Sequence, residues 1–206
     1  MPGVPEPEDR PVRSKPLLLL DVDGVLNPFA AGCVVPPGFT EHTLQGYRVL
    51  LTPRHGRWLD PLADRFEFVW ATTWEEDANT LIAPLVGLPT DLPVVSFADA
   101  DVKRPGTWKL PAVAAFVGDR PAAWIDDDLG RDADEWAAAR SVPTLLLRAD
   151  PGVGLVRRHI DALERFARRL SDGSAVERSA PIHRTCGRVL QSGSASRARA
   201  DWQEEP

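Results

Sequence analysis

Two groups of aspartates in the sequence each follow a short apolar run. Asp21 and Asp23 come directly after four leucines, whereas Asp126, Asp127 and Asp128 follow Ala-Trp-Ile. Residues two apart on an extended chain project to the same side, so Asp21 and Asp23 share one face. Ligands of open α/β sheets bind beyond the carboxyl ends of the strands, where both groups would lie. The two groups are therefore expected to meet at one edge of a sheet.

Each of these residues carries a carboxylate, and carboxylates that are crowded together repel one another. Crowding raises their pKa values or destabilises the fold unless a cation lies among them. Because ligand sets made only of oxygen favour Mg²⁺ over zinc, Mg²⁺ is the predicted cofactor. An EF-hand calcium loop starting at Asp21 is disfavoured, since it needs Gly at its sixth position and Glu at its twelfth. The chain has Leu26 and Gly32 there.

The elements that must position these carboxylates alternate between apolar runs and helical patterns from residue 17 to residue 170. This alternation predicts an α/β fold with a parallel sheet flanked by helices. Several runs are apolar throughout, as expected of strands that are covered on both faces. Five parallel strands are predicted: Leu17–Val22, Phe66–Ala71, Pro93–Phe97, Ala122–Ile125 and Thr144–Arg148.

Three helices are predicted between and after these strands. Thr73 and Glu76 match a capping box, and Gly87 marks the end of the helix that they begin. A second helix is predicted over Asp132–Arg140. The third, Leu155–Leu170, places its apolar residues on one side.

Length and composition limit the class of protein. The 206 residues are 43% hydrophobic and 26% charged, which predicts one globular domain with tails. Five of the 20 prolines lie in residues 1–16, and six serines lie in residues 171–206. These compositions predict a flexible leader over 1–16 and a disordered tail over 171–206, on either side of a catalytic domain at 17–170.

Charge and hydropathy limit the partners. The net charge of −6 gives no overall basic field that would attract nucleic acid or an anionic membrane. The apolar run Leu17–Leu20 is shorter than the ~7 residues of a secretory signal and the ~20 residues of a membrane helix. A cytoplasmic location without a membrane partner is therefore predicted.

With these residues in these places, the sequence from 17 to about 170 resembles the haloacid dehalogenase (HAD) superfamily, phosphotransferases with an aspartate nucleophile. Four motifs carry the resemblance, in the family's order and on the elements that the family uses. They are Asp21-Val22-Asp23-Gly24-Val25 after the first strand, Thr72 after the second, Lys109 before the fourth, and Asp126-Asp127 after it. The resemblance implies a HAD-like Rossmannoid fold.

The same resemblance implies a Mg²⁺-dependent phosphohydrolase, namely a phosphomonoesterase that works through an aspartyl-phosphate. Asp21 would attack phosphorus, and Asp23 would act first as an acid and then as a base. Thr72 and Lys109 would bind the phosphoryl group. Lys103 is an alternative to Lys109, and a structural threonine or helix cap is the alternative reading of Thr72.

The metal ligands implied by the resemblance come from two of the motifs. They are Asp21, the main-chain carbonyl of Asp23, Asp126 and Asp127. A strand that runs one residue longer would replace the last pair with Asp127 and Asp128, and the sequence leaves both frames open.

Few residues are available to cover such a site. The 39 residues of Asn27–Arg65 include a predicted helix around His55–Asp64. The segment Phe39–Leu51, with a turn at Gln45-Gly46, predicts a small β-hairpin flap instead of a large cap. An open site of this kind favours a bulky or extended substrate.

Trp74 directly follows the second motif and is predicted to bind substrate by stacking on a base or a sugar, with core packing as the alternative. The run Val69–Glu75 also looks like a subgroup of HAD domains associated with RNA repair proteins. That likeness implies nucleotide or polynucleotide phosphate ends as the substrate, and a small phosphorylated molecule is the alternative.

Two other classes of function stay open. A non-catalytic Mg²⁺-binding or phosphate-binding module would keep the fold without turnover. A phosphotransferase would pass the phosphoryl group to an acceptor other than water. All four motif positions carry the groups that the chemistry requires, which favours an enzyme.

Overall fold

The computed structural model describes residues 15–30, 35–98, 100, 102 and 105–172. The predicted leader and tail therefore lie outside the described residues, apart from two residues of each. The strands are β1 (Leu17–Leu20), β2 (Thr40–Leu44), β3 (Tyr47–Leu51), β4 (Glu67–Trp70), β5 (Ala122–Asp126) and β6 (Thr144–Arg148). The α-helices are α1 (Pro53–Leu59), α2 (Ala83–Val86), α3 (Leu110–Val117), α4 (Arg131–Ala139) and α5 (Arg157–Ser171). A 3-10 turn (Asp60–Leu62) follows α1, and a π-helix (Ala78–Ile82) precedes α2.

Four parallel strands form the central sheet in the order β4-β1-β5-β6. The four leucines of β1 are fully buried because alternate side chains enter two different hydrophobic clusters. Leu18 packs in the cluster that contains Leu163 of α5, whereas Leu19 packs with Val113 of α3. Helices thus cover both faces, which confirms the predicted α/β fold and explains why these strands are apolar throughout.

The prediction of a strand at Pro93–Phe97, the third of the five, is wrong. The segment makes a single parallel bridge, between Val94 and Trp70, at the free edge of β4. Its first residue is a proline and has no amide hydrogen, and the Phe97 amide donates to Glu75 Oε1 at 2.7 Å instead of to a strand. The other four predicted strands are present, with ends shifted by at most two residues.

The predicted hairpin is present as β2 and β3, which pair antiparallel. Gln45 and Gly46 both have positive φ, 51° and 84°, as a two-residue hairpin turn requires. Val49 is buried in the core, and the Leu50 amide donates to Asn27 Oδ1 at 2.8 Å. The hairpin is therefore anchored to the loop that follows β1.

The predicted capping box of Thr73 and Glu76 is wrong, because the helical segment after β4 begins only at Ala78. Glu75 has a φ of 44°, so the chain passes through a left-handed conformation where the first helical turn was expected. The π-helix then starts after Asp77 without a side-chain cap. The predicted end at Gly87 is confirmed, because this residue closes α2 in the left-handed conformation.

The other two predicted helices are present as α4 and α5, and α5 continues to Ser171. The predicted helix around His55–Asp64 is divided between α1 and the 3-10 turn. Within the described ranges, no helix is both long enough and apolar enough to cross a membrane.

Candidate active site

The carboxyl ends of β1 and β5 bring Asp21 and Asp126 together. The two strands are neighbours in which Leu20 lies opposite Ile125, and the Asp21 amide donates to the Ile125 carbonyl at 3.2 Å. The residue after each of these partners is an aspartate. The parallel register of β1 and β5 thus confirms that these two aspartates meet at one edge of the sheet.

Lys109 joins these two carboxylates. It immediately precedes α3, and its Nζ lies 2.7 Å from Asp21 Oδ2 and 2.8 Å from Asp126 Oδ2. The lysine is only 5% exposed. Burial lowers its pKa, but the charges of Asp21 and Asp126 outweigh burial and hold the pKa above its ordinary value. Lys109 therefore stays charged within the site.

Asp127 completes a cluster of three carboxylates. One oxygen from each of Asp21, Asp126 and Asp127 lies within 4.8 Å of the others. Gly24 makes room for this arrangement, because a Cβ at that position would lie 2.3 Å from the Asp127 Cγ. Gly24 also has a φ of 74°, which favours glycine.

The charge of this cluster fits a divalent cation. With the three carboxylates and Lys109 all ionised, three negative charges and one positive charge leave −2. Burial raises the pKa of Asp21 to about 7; Lys109 opposes this shift and Asp126 adds to it. Burial and the charge of Asp126 also raise the pKa of Asp127. An oxygen-coordinated hard cation would relieve both effects.

The side chain of Asp23 does not belong to this cluster. Its Oδ1 accepts from Asn27 Nδ2 at 2.7 Å, and its Oδ2 accepts from the Trp74 indole N–H at 3.0 Å. These two donors fix the carboxylate at the edge of a cavity of about 490 Å³, which Asp23 lines. The two motif aspartates therefore have separate surroundings.

Thr72 follows β4 at the same edge of the sheet. The amide of the preceding residue, Ala71, donates to the Leu20 carbonyl at 2.8 Å, which brings Thr72 beside the end of β1. Thr72 is fully buried, and its Oγ1 accepts a long hydrogen bond of 3.4 Å from the Trp74 amide. The hydroxyl therefore keeps its own proton available for donation.

Two alternatives were left open by the sequence: which pair of aspartates follows β5, and whether the lysine is Lys109 or Lys103. Asp128 is exposed, and its amide donates to Asp126 Oδ1 at 2.9 Å, so its carboxylate lies outside the three-carboxylate cluster. The geometry thus groups Asp126 with Asp127. Lys103 lies outside the described residues.

Trp74 packs partly in the core, as the alternative interpretation had it, and its role in binding substrate stays a prediction. Its ring packs against the hydrophobic core on one side and lines the 490 Å³ cavity on another.

Phe29 and Tyr47 line the same cavity, and sequence reasoning missed both as site residues. Tyr47 directly follows the hairpin turn. The turn residues predicted where the hairpin lies in the sequence, but they did not indicate which of its side chains line the cavity. Asn27 was missed as well, because nothing in the sequence indicates its bond to Asp23.

Comparison with protein families gives one finding for most of the chain. Residues 17–160, more than two thirds of the 206, match the family described as the HAD domain in Swiss Army Knife RNA repair proteins. Comparisons with curated proteins and with solved structures gave no match.

Proposed function

The chain belongs to the family of HAD domains in Swiss Army Knife RNA repair proteins, and on that premise we propose that it is a Mg²⁺-dependent phosphomonoesterase acting on the phosphorylated end of an RNA strand. Membership confirms the resemblance to the HAD superfamily and to its RNA repair subgroup. It supports a hydrolase or phosphatase role, and the reaction and substrate argued below belong to the proposal.

One observation carries the proposal, namely the place of Lys109 among the carboxylates. A buried ammonium within 2.8 Å of both Asp21 and Asp126 keeps a positive charge beside the nucleophile. Phosphoryl transfer depends on positioning and on neutralising the oxygens of the phosphoryl group. A lysine that only stabilised the fold would not need a third carboxylate, Asp127, within 4.8 Å of its partners.

In the first step, a carboxylate oxygen of Asp21 attacks phosphorus while the bond from phosphorus to the leaving oxygen breaks. Asp23, in its protonated form, gives its proton to that leaving oxygen. Lys109 and the Thr72 hydroxyl donate hydrogen bonds to the phosphoryl oxygens. The product of this step is an aspartyl-phosphate on Asp21 and a free hydroxyl on the RNA end.

In the second step, the Asp23 carboxylate takes a proton from water, and the water oxygen attacks phosphorus. The bond between Asp21 and phosphorus breaks, which releases inorganic phosphate and restores both aspartates. The bonds from Asn27 and Trp74 hold Asp23 in place for both proton transfers.

Asp21, Asp126 and Asp127, with the main-chain carbonyl of Asp23, would hold the Mg²⁺. When bound, the ion supplies positive charge that offsets the cluster's −2 and the negative charge of the phosphoryl group.

The choice of an RNA end rests on the family and on the cover of the site. The only insertion between β1 and β4 that pairs into strands within the described residues is the small hairpin, so the cavity opens to solvent. A phosphate at the end of a long strand can enter such a cleft, whereas a small metabolite would be left largely exposed.

The proposal is tested by measuring phosphate release from RNA oligonucleotides that carry a 3′- or a 5′-phosphate. Release is expected with Mg²⁺ and not after chelation. Asp126→Asn should lower kcat by about 100-fold or more, because it removes a carboxylate that would hold the Mg²⁺ and that positions the Lys109 ammonium. Asp128→Asn, two residues further along the chain and outside the cluster, is the matched control and should keep its rate.

Three results would contradict the proposal. Metal-independent release would remove the proposed role of the cluster. Binding of phosphorylated RNA without any release would indicate a non-catalytic module. Transfer to an added alcohol in preference to water would indicate a phosphotransferase.

A further inference from the structure

The cavity of about 490 Å³ next to Asp23 is lined by two aromatic residues, Tyr47 and Phe29, that the phosphoryl chemistry does not use. We propose that this cavity binds the nucleobase of the terminal, phosphate-bearing nucleotide, with Tyr47 and Phe29 stacking on the base. The inference rests on the proposed function and extends it, because it assigns the residues that recognise the RNA end.

Asp23 determines where the leaving group must lie. As the residue that protonates the leaving oxygen, its carboxylate must contact that oxygen within hydrogen-bonding distance. Asp23 lines the cavity, whereas Asp21 and Asp126 are nearly fully buried and do not line it. The nucleoside attached to the leaving oxygen therefore extends into this cavity, and its volume lies within the ~300–1,000 Å³ typical of ligand sites.

Two of the aromatic side chains that line this cavity are largely exposed to solvent. Tyr47 is 67% exposed and Phe29 is 58% exposed, although exposing large apolar rings to water is unfavourable. The Tyr47 ring also meets the Trp74 ring edge to face, with 6.4 Å between centroids and 76° between planes. Exposed rings beside a nucleotide site are the usual platform for an unpaired base, since every base has a face that can stack.

The charges at the cavity favour a neutral ring over a second phosphate. Asp23 and Asp77 both line it, and the single lining arginine, Arg48, pairs with Glu41 at 2.9 Å. No lining cation is therefore left unpaired among the described residues. A base fits these surroundings better than another anion does.

The hairpin that carries Tyr47 is held in place before any substrate binds. Gln45, at the hairpin turn, donates through its Nε2 to Asp77 Oδ2 beside the π-helix. At the other end of the hairpin, Leu50 bonds to Asn27. A cavity fixed at both ends needs little ordering when the base enters, which favours affinity.

The first experiment compares two phosphorylated RNA oligonucleotides that differ only in the base of the terminal nucleotide, which is present in one and absent in the other. We expect kcat/KM to be about ten-fold or more higher for the intact end. Tyr47→Ala should bring this ratio close to one, whereas Tyr47→Phe should preserve it because the stacking ring remains. Phe116→Ala, which removes an exposed ring from α3 outside the cavity, is the matched control and should leave the ratio unchanged.

The second experiment measures binding without turnover. A terminal 2-aminopurine on the phosphorylated oligonucleotide should lose fluorescence when the Asp21→Asn protein binds, and adding Tyr47→Ala should weaken this binding by about ten-fold. Equal kcat/KM values for the two ends would overturn the base site while leaving the phosphatase function intact. Quenching that depends on Tyr47 without phosphate release from the wild type would overturn the phosphatase function and support the base site. Absence of quenching would overturn the base site.

Discussion

At the scale of single residues, the site depends on Gly24, which lets the loop after β1 approach Asp127 after β5 closely. Its backbone approaches the Asp127 carboxylate so closely that any Cβ would lie 2.3 Å from both Cγ and Oδ2. The sequence shows only that this glycine directly follows Asp23 in the first motif. The contact with Asp127 could not be predicted, because it depends on the separation of β1 and β5 after folding.

Gly24→Ala should therefore weaken Mg²⁺ binding by at least about ten-fold, because Asp127 must move and could no longer act as the ligand proposed for it. Calorimetric titration with Mg²⁺ measures this change. Gly87→Ala is the matched control, since Gly87 has a similar φ of 82° but nothing within 4 Å of the added Cβ. Both variants pay about 1–2 kcal/mol for a left-handed alanine. Equal Mg²⁺ affinities in the two variants would show that Asp127 is not a ligand.

At the scale of elements, apolar strands were easier to predict than the segments that bond through side chains. The register of β1 against β5 follows from two buried apolar runs that each end in an aspartate. The segment 93–97 looks like a strand in sequence, yet Glu75 takes the Phe97 amide. Glu75 lies 22 residues before Phe97 and reaches its amide only in the folded chain, so the residue pattern of 93–97 alone could not predict this bond.

His55 on helix α1 should make the free energy of unfolding depend on pH. His55 is fully buried between the rings of Phe39 and Trp58, and burial, with the charge of Arg54, lowers its pKa from 6.5 to about 4. A histidine whose pKa is lower in the folded state stabilises the fold above pH 6.5, and this stability is lost as pH falls toward 4. From pH 7 to pH 5, this group should cost about 2 kcal/mol of unfolding free energy.

Urea denaturation at the two pH values measures that loss. His55→Phe keeps an aromatic ring between Phe39 and Trp58 and cannot titrate, so it should lose about 2 kcal/mol less than the wild type over the same interval. An equal loss in both proteins would mean that the histidine is not kept neutral by α1 and its neighbours.

At the scale of the whole molecule, the motif residues of the site come from four separate parts of the chain, and the hairpin adds a fifth. Asp21 and Asp126 could be placed from sequence because each ends a buried run, and the HAD resemblance added Thr72 and Lys109. Tyr47 could not be assigned to the site, because its position depends on how the hairpin is anchored to the loop that follows β1. The motif residues thus follow from strand order, whereas the residues around the leaving group follow from tertiary packing.

The most direct test of the central claim, that Asp21 is the nucleophile of a phosphoryl-transfer site, is to identify the phosphorylated residue. Wild-type protein would be mixed with Mg²⁺ and a phosphorylated RNA oligonucleotide, quenched in acid within one turnover, and analysed by peptide mass spectrometry. We predict one added phosphoryl group on the peptide containing Asp21, and neither modification nor phosphate release in Asp21→Asn. A phosphoryl group on another residue, or continued phosphate release by Asp21→Asn, would contradict the claim.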